Sequence, residues 1–200
     1  MTEPALERAE QRRRAGLSLI DDLRVRELWA RVGRVELVGA VAHGLVVSHD
    51  IDFEVFTKGE PTVASGFAVL ASLAEHPRVR KVQFTNALDT PDQGLYSQVR
   101  CIDGNGANWK IDLWTLAEDH PGPLATRLVE PMQRALTDAS RNAILALKEA
   151  RAAGQTVAVS SIDLYRAVLE GGVATAEELE AFLGPDYEPG LIHWTPITPS

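Results

Sequence analysis

The sequence predicts an α+β protein: a small mixed β-sheet flanked by helices, followed by a C-terminal helical region. Two observations carry this. Five short runs rich in β-branched or alternating apolar residues fall before residue 117, and the last two are joined by "DGNGA" (103–107), where Asp-Gly and Asn-Gly are strong turn formers. From about residue 124 to 184 the apolar spacing becomes helical. The chain thus divides into an α/β part over 1–120 and a helical part over 121–200, whose stretch 185–200 carries four prolines.

Taken in order, residues 5–32 read as one helix, with Val25, Leu28, Trp29 and Val32 at helical spacing and Gly33 as its stop. Its early part, "ERAEQRRR", is charged throughout and predicts a solvated face. "RVELVG" (34–39) is a first strand and "DIDFEVF" (50–56) a second. Strict alternation in the second puts Asp50, Asp52 and Glu54 on one face and Ile51, Phe53 and Val55 on the other. "TKGEP" (57–61) is turn chemistry. Residues 62–75 form a helix on the spacing of Val63, Phe67, Leu70 and Ala74, closed by Pro77. The third strand is 78–86, and the hairpin pairs 95–102 with 108–116. "EDHPGP" (118–123) breaks the chain. A helix over 138–152 turns Ala143, Ile144 and Leu147 inward and displaces Arg141 and Lys148 from them. Serine- and threonine-capped helices follow over 160–172 and 175–184, and the proline-bearing tail is extended.

Composition narrows the partners. The 200 residues are 45% hydrophobic and 24% charged, with a formal net charge of −8. An acidic chain lacks the clustered Lys and Arg that phosphate backbones and anionic membranes demand, so neither nucleic acid nor membrane is the expected partner. The single cysteine, Cys101, forms no intrachain disulfide and predicts a small buried strand residue. No apolar run approaches the ~18 residues of a membrane span, and "MTEPALERAEQRRRAG" has no apolar signal core, so a cytoplasmic location is the expectation. A homodimer stays open.

The acidic pair needs a reason. Asp50 and Asp52 on one strand face repel each other, and something cationic must offset the repulsion. In "WKIDLW" a third acid, Asp112, sits between Ile and Leu, on the strand face it shares with Lys110 and Trp114. If the second and fifth strands are neighbours, the three carboxylates converge into a hard-oxygen site suited to Mg²⁺ or Mn²⁺, the chemistry of phosphoryl or nucleotidyl transfer. Upstream, Gly39 and Gly44 bracket a turn whose N–H groups can cradle phosphate. It is neither a Walker loop nor a dinucleotide fingerprint.

"VELVGAVAHGLVVSHDIDFEV" resembles the signature of the nucleotidyltransferase fold superfamily, in which Gly-Ser is followed some ten residues later by Asp-x-Asp, with a third acid on a later strand. The size and the trailing helices look like the small-molecule branch that includes aminoglycoside and lincosamide nucleotidyltransferases, and "SSIDLYRAVLEGGV" is similar to bacterial members of that group. The resemblance spans about residues 20–170. It implies Asp50, Asp52 and Asp112 as catalytic metal ligands for Mg²⁺ or Mn²⁺. It further implies Gly39 and Ala40 on a nucleoside triphosphate. From their own placement, Lys110 and Lys148 are expected on the nucleotide, and Glu54, Trp114 and Tyr165 on a small-molecule acceptor. The reaction implied moves a nucleoside monophosphate to an acceptor hydroxyl. Ala40 departs from the pattern, because the family has a serine there. Losing that hydroxyl costs roughly 1.5–3 kcal/mol of phosphate binding.

Other readings stand beside these. Asp50 and Asp52 could mark an exposed strand face. Lys110 could neutralise phosphate or pair with an acid across the strand. Glu54 fits a solvated or substrate-edge role better than ligation. His43 and His49 read as turn or surface chemistry, Trp109 as core, and Trp114 as a stacking wall. Arg141 and Lys148, seven apart on one helix face, could reach a triphosphate or face solvent. A weak or inactive nucleotide-binding, antitoxin-type regulator is the alternative that Ala40 motivates. A glycosyltransferase also uses Asp-x-Asp, but the short chain and the upstream glycine turn argue against it.

Overall fold

The computed structural model describes residues 4–190 and 192–197; the expectations for the extreme termini and for position 191 of the tail lie outside the described residues. Five strands form one sheet: β1 (Arg34–Val38), β2 (Asp50–Thr57), β3 (Val79–Ala87), β4 (Gly94–Ile102) and β5 (Asn108–Ala117), in the order β1-β2-β5-β4-β3. The sheet is mixed. β2 and β5 run parallel, and the other neighbours are antiparallel. Eight helices accompany it among the described residues: α1 (Ala5–Asp22), α2 (Val25–Trp29), α3 (Gly39–His43), α4 (Val63–Ala74), α5 (Thr126–Ala135), α6 (Asp138–Ala152), α7 (Ser161–Gly171) and α8 (Ala176–Leu183). No described helix is long and apolar enough to cross a membrane.

Alternation decides where the core lies. Ile51, Phe53 and Val55 of β2, Val99 of β4, and Trp109, Ile111 and Leu113 of β5 all point to one side, where they meet Leu19, Trp29, Leu70 and Leu73 from α1, α2 and α4. Each such side chain gains about 1.5–3 kcal/mol from leaving water. A second cluster joins α5, α6, α7 and α8, and takes in Ala9 of α1 and Leu45 of the loop after α3. The opposite face of the sheet is left for the polar residues of β2 and β5, with the second cluster's helices beside it.

Several elements differ from their sequence reading. The helix expected over 5–32 is two helices, broken where Arg24 takes a left-handed φ of 53° with its N–H bonded to Asp21 O. Its charged beginning is not a free face. Ala9 is buried, Arg8 grips Glu149 of α6 at 2.7 Å, and Arg13 Nε donates to Val41 O. In α4 the helix is as expected but its face is shifted: Gly66, Val69, Leu70 and Leu73 are buried, while Val63 and Phe67 are exposed and Phe67 rests on Phe84. α5 is unforeseen as a distinct element; Pro131 lies inside it and masks the Leu128–Met132 spacing. Lys148, expected off the buried side of α6, is itself buried.

Candidate active site

The pairing of β2 with β5 sets the site. Asp50 lies across from Lys110, Asp52 across from Asp112, and Glu54 across from Trp114. On the other side of β5, the hairpin register adds Gln98 opposite Asp112 and Tyr96 opposite Trp114. Because strand residues alternate, these eight side chains share one sheet face.

Asp112 is the most heavily bonded of them. Its Oδ1 accepts from the Tyr96 hydroxyl at 2.7 Å and from Gln98 Nε2 at 3.2 Å, and its Oδ2 lies 2.8 Å from the Lys110 ammonium. Burial and the Asp112 hydrogen bond both raise the Tyr96 pKa, so its phenol stays protonated and donates. Asp50 accepts from Ser48 Oγ at 2.9 Å, and Lys110 Nζ lies 3.7 Å from its Oδ1. Asp52 makes no hydrogen bond to a described protein group. Burial first, then the charges of Asp112 and Asp50, push its pKa up to about 6. A recessed carboxylate without a donor, beside two other acids, suits a hard divalent ion held by Asp50 and Asp52. Among the described residues, however, no three His, Cys, Asp or Glu side chains are placed to hold one ion together. The acids face one another as sequence anticipates, but Asp112 spends its oxygens on protein donors.

The glycine turn closes over Asp52. Gly39 has a φ of +66°, and a Cβ there would come within 2.3 Å of Asp52 Oδ2. Only a residue without a side chain lets the turn pass so near the carboxylate. Ala40 follows it in α3 and lines the same cleft.

The facing wall comes from the helices. Lys148 of α6 donates to Leu45 O at 2.6 Å, and its ammonium lies 5.8 Å from the centre of the Tyr165 ring. Burial first, then the charge of Arg151, lowers its pKa to about 8. Tyr165 is buried, and burial pushes its hydroxyl up to about 12. His43 is buried rather than superficial and sits edge-on to Tyr165. Burial, Lys148 and Arg141 hold it neutral, with a pKa of about 4. Arg141 is half-buried, and its Nη1 donates to His43 O at 2.7 Å.

Glu54 has a different environment from the solvated one expected. It is buried, and its carboxylate accepts the N–H groups of Ala125 and Thr126 at 2.7 and 2.9 Å, together with the Thr126 hydroxyl. It thereby tethers the start of α5 to β2. Trp114 is half-buried, its ring 5.2 Å from that of Tyr96. Trp109 is core, with its indole N–H on Asp103, and His49 packs against it. Cys101 is a buried free thiol.

Between these walls lies a cleft of about 1000 Å³. Asp50 and Asp52 stand in it, and Trp114, Leu124, Leu128, Ile162 and Trp194 give it apolar walls. Trp194 is anchored by its indole N–H to Glu170, 2.7 Å away. Sequence reading passed over Tyr96 and Gln98. Their signal was present: counting outward from "DGNGA" places them opposite Trp114 and Asp112.

No protein-family model and no curated protein sequence matches the chain. Solved structures do. A Cid1 poly(U) polymerase bound to MgATP aligns with a TM-score of 0.61 at 15% identity, over 80% of this chain and 50% of that one. The same polymerase bound to MgGTP aligns at 0.59, with 15% identity over 80% and 50% of the two chains. A cytoplasmic RNA terminal U-transferase aligns at 0.55, with 13% identity over 82% and 46%. The chain spans about half the length of these structures. At such identity the likeness is one of architecture, and the architecture is the nucleotidyltransferase fold.

Proposed function

We propose that this chain is a metal-dependent nucleotidyltransferase that moves a nucleoside monophosphate from a nucleoside triphosphate to a hydroxyl of a small molecule. The observation that carries the reading is Asp52. It is a recessed carboxylate with no hydrogen-bond donor among the described residues, beneath a glycine turn, paired in register with Asp112 and two residues from Asp50. A Mg²⁺ or Mn²⁺ ion bound by Asp50 and Asp52 would polarise the α-phosphate and neutralise charge as pyrophosphate leaves.

The protein's own groups supply the rest. The Gly39–Ala40 turn offers N–H groups to the triphosphate, and Lys148 offers an ammonium from the facing wall. Tyr96, Gln98 and Lys110 hold Asp112 in one orientation beside the reacting centre. Trp114 gives a flat apolar surface to the acceptor, and Tyr165 backs the cleft. The acceptor hydroxyl yields its proton to a carboxylate of this set. Its oxygen bonds to the α-phosphorus as the bond to the pyrophosphate oxygen breaks.

A small acceptor is favoured by the net charge of −8 and by a cleft walled with Trp114, Leu128, Ile162 and Trp194. The solved relatives named above act on RNA, and an RNA acceptor is the second reading. An inactive nucleotide-binding regulator is the third, supported by Ala40 in the serine position and by the donors on Asp112. Incubation with each of the four α-labelled nucleoside triphosphates and Mn²⁺ tests the assignment, with an RNA oligonucleotide or a pool of hydroxylated small molecules as acceptor. Label carried onto a small molecule, and lost in Asp52→Asn, supports it. Label on RNA selects the second reading, and binding without transfer selects the third.

A further inference from the structure

The acidic row contains a cation of its own. Lys110 stands two residues before Asp112 and directly across from Asp50, so strand alternation by itself puts it on the carboxylate face. Its ammonium is 2.8 Å from Asp112 Oδ2 and 3.7 Å from Asp50 Oδ1. The shorter contact is a charge-assisted hydrogen bond and the longer one a direct Coulomb pairing.

The two paired aspartates therefore stand in opposite conditions. Both oxygens of Asp112 have protein donors: Tyr96 and Gln98 on one, Lys110 on the other. Asp52, across the strand pair, has none among the described residues, and no three acidic or imidazole side chains gather around one point. Charge agrees with this division. Three carboxylates and one ammonium leave two net negative charges, which one divalent ion neutralises. A second ion would leave the cluster doubly positive before any substrate arrived.

We propose that Lys110 is a built-in monovalent cation standing where a second divalent ion would otherwise bind, so that the site takes one ion, on Asp50 and Asp52, with Asp112 as a positioned neighbour instead of a ligand. This rests on the metal-dependent reading above, but it concerns the number of ions and is tested without turnover.

The experiment is a Mn²⁺ titration of the full chain without nucleotide at pH 7.5, with free Mn²⁺ read from its electron paramagnetic resonance signal. Lys110→Met is expected to bind one ion more than wild type, and Lys110→Arg, which keeps the charge, the same number as wild type. Equal counts in wild type and Lys110→Met overturn the proposal. Should Lys110→Met fail to give a cooperative melt, Asp112→Asn decides. It is expected to keep the wild-type count, and loss of the ion in that variant overturns the proposal. Asp52→Asn is expected to lose the ion. Nucleotide transfer with equal counts would defeat the Lys110 assignment alone. Counts that differ by one, in a protein that transfers no nucleotide, would defeat the enzyme reading alone.

Discussion

Gly39 and Asp52 meet at a distance that no side chain on the glycine could survive, since a Cβ would lie 2.3 Å from Asp52 Oδ2. The glycine turn before α3 and strand β2 are thus fitted to each other through one missing atom group. Gly39→Ala should push Asp52 aside and strain a backbone at φ +66°, with a stability loss of at least about 1 kcal/mol. Mn²⁺ affinity and thermal melting check it. A variant with unchanged values on both would show that the turn yields freely.

Asp52 also gives the metal-free protein a pH signature. Its folded pKa, about 6, stands above the ordinary carboxylate value. The unfolded chain therefore ionises first as pH rises. The stability linked to this group is present below about pH 4 and is lost by pH 6, a change on the order of 1–2 kcal/mol after solvent screening. Asp52→Asn should remove that loss and melt higher than wild type at pH 7.5 in chelator, while binding no Mn²⁺. Added Mn²⁺ should raise the wild-type melting temperature far more at pH 7.5 than at pH 5. Equal shifts at the two pH values would contradict the assignment.

The strand half of the molecule was open to sequence reading because a strand repeats every two residues and "DGNGA" sets the hairpin register; the facing of Asp50, Asp52 and Glu54 follows from counting alone. The helices were less legible. The turn between α1 and α2 is made by Arg24, a residue that carries no breaker signal. In α4 the apolar residues Val63 and Phe67 compete with the true face, and contact with the sheet, through Leu70 and Leu73, decides between them. Lys148 and Glu54 are the instructive cases. Each is a charged residue whose burial is satisfied by backbone groups far away in sequence, Leu45 O for the one and the Ala125 and Thr126 amides for the other. No local pattern encodes such partners.

Glu54 should therefore act on stability more than a surface glutamate would. Glu54→Ala leaves the Ala125 and Thr126 N–H groups without their acceptor at the start of α5. A loss of about 1–3 kcal/mol is expected, from the unmet donors and the removed charge at the helix N-terminus. Chemical denaturation measures it. Glu54→Gln, which keeps one acceptor oxygen, should recover part of the loss. A change below 0.5 kcal/mol for Glu54→Ala, the range of an ordinary surface substitution, would show that water replaces the carboxylate.

Lys148 predicts a pH dependence of triphosphate binding that runs opposite to the Mn²⁺ binding expected at Asp52, which strengthens as pH rises. Its ammonium has a pKa of about 8 in the free protein, lowered by burial and by Arg151. Triphosphate binding should weaken as pH rises through 8, because the neutral amine offers no charge to phosphate. Lys148→Met should bind triphosphate weakly at every pH and lose the dependence, with a deficit of about 1.5–3 kcal/mol at pH 7, the worth of a hydrogen bond to a charged group. Calorimetric titration with a non-hydrolysable triphosphate at pH 7 and pH 9 separates the two proteins. Wild-type affinity that is flat across that range would remove Lys148 from the nucleotide site.

Ala40 is the place where the chain departs from the Gly-Ser signature it resembles, and restoring the serine asks whether the departure limits activity. Ala40 lies in the first turn of α3, next to the glycine that covers Asp52; it lines the cleft and also packs against the core cluster under the sheet. A hydrogen bond from the serine hydroxyl to a charged phosphate is worth roughly 1.5–3 kcal/mol, about ten- to a hundred-fold in affinity. Ala40→Ser should tighten triphosphate binding by up to that amount and leave the melting temperature of the free protein within about 2 °C of wild type. Tighter binding with faster transfer would mean that wild type is an enzyme running below its fold's capacity. Tighter binding with no transfer in either protein would favour the regulatory reading, because the missing hydroxyl would then not be what holds catalysis back. Unchanged affinity would place the triphosphate away from this turn and would require Lys148 and the helical wall to carry it instead.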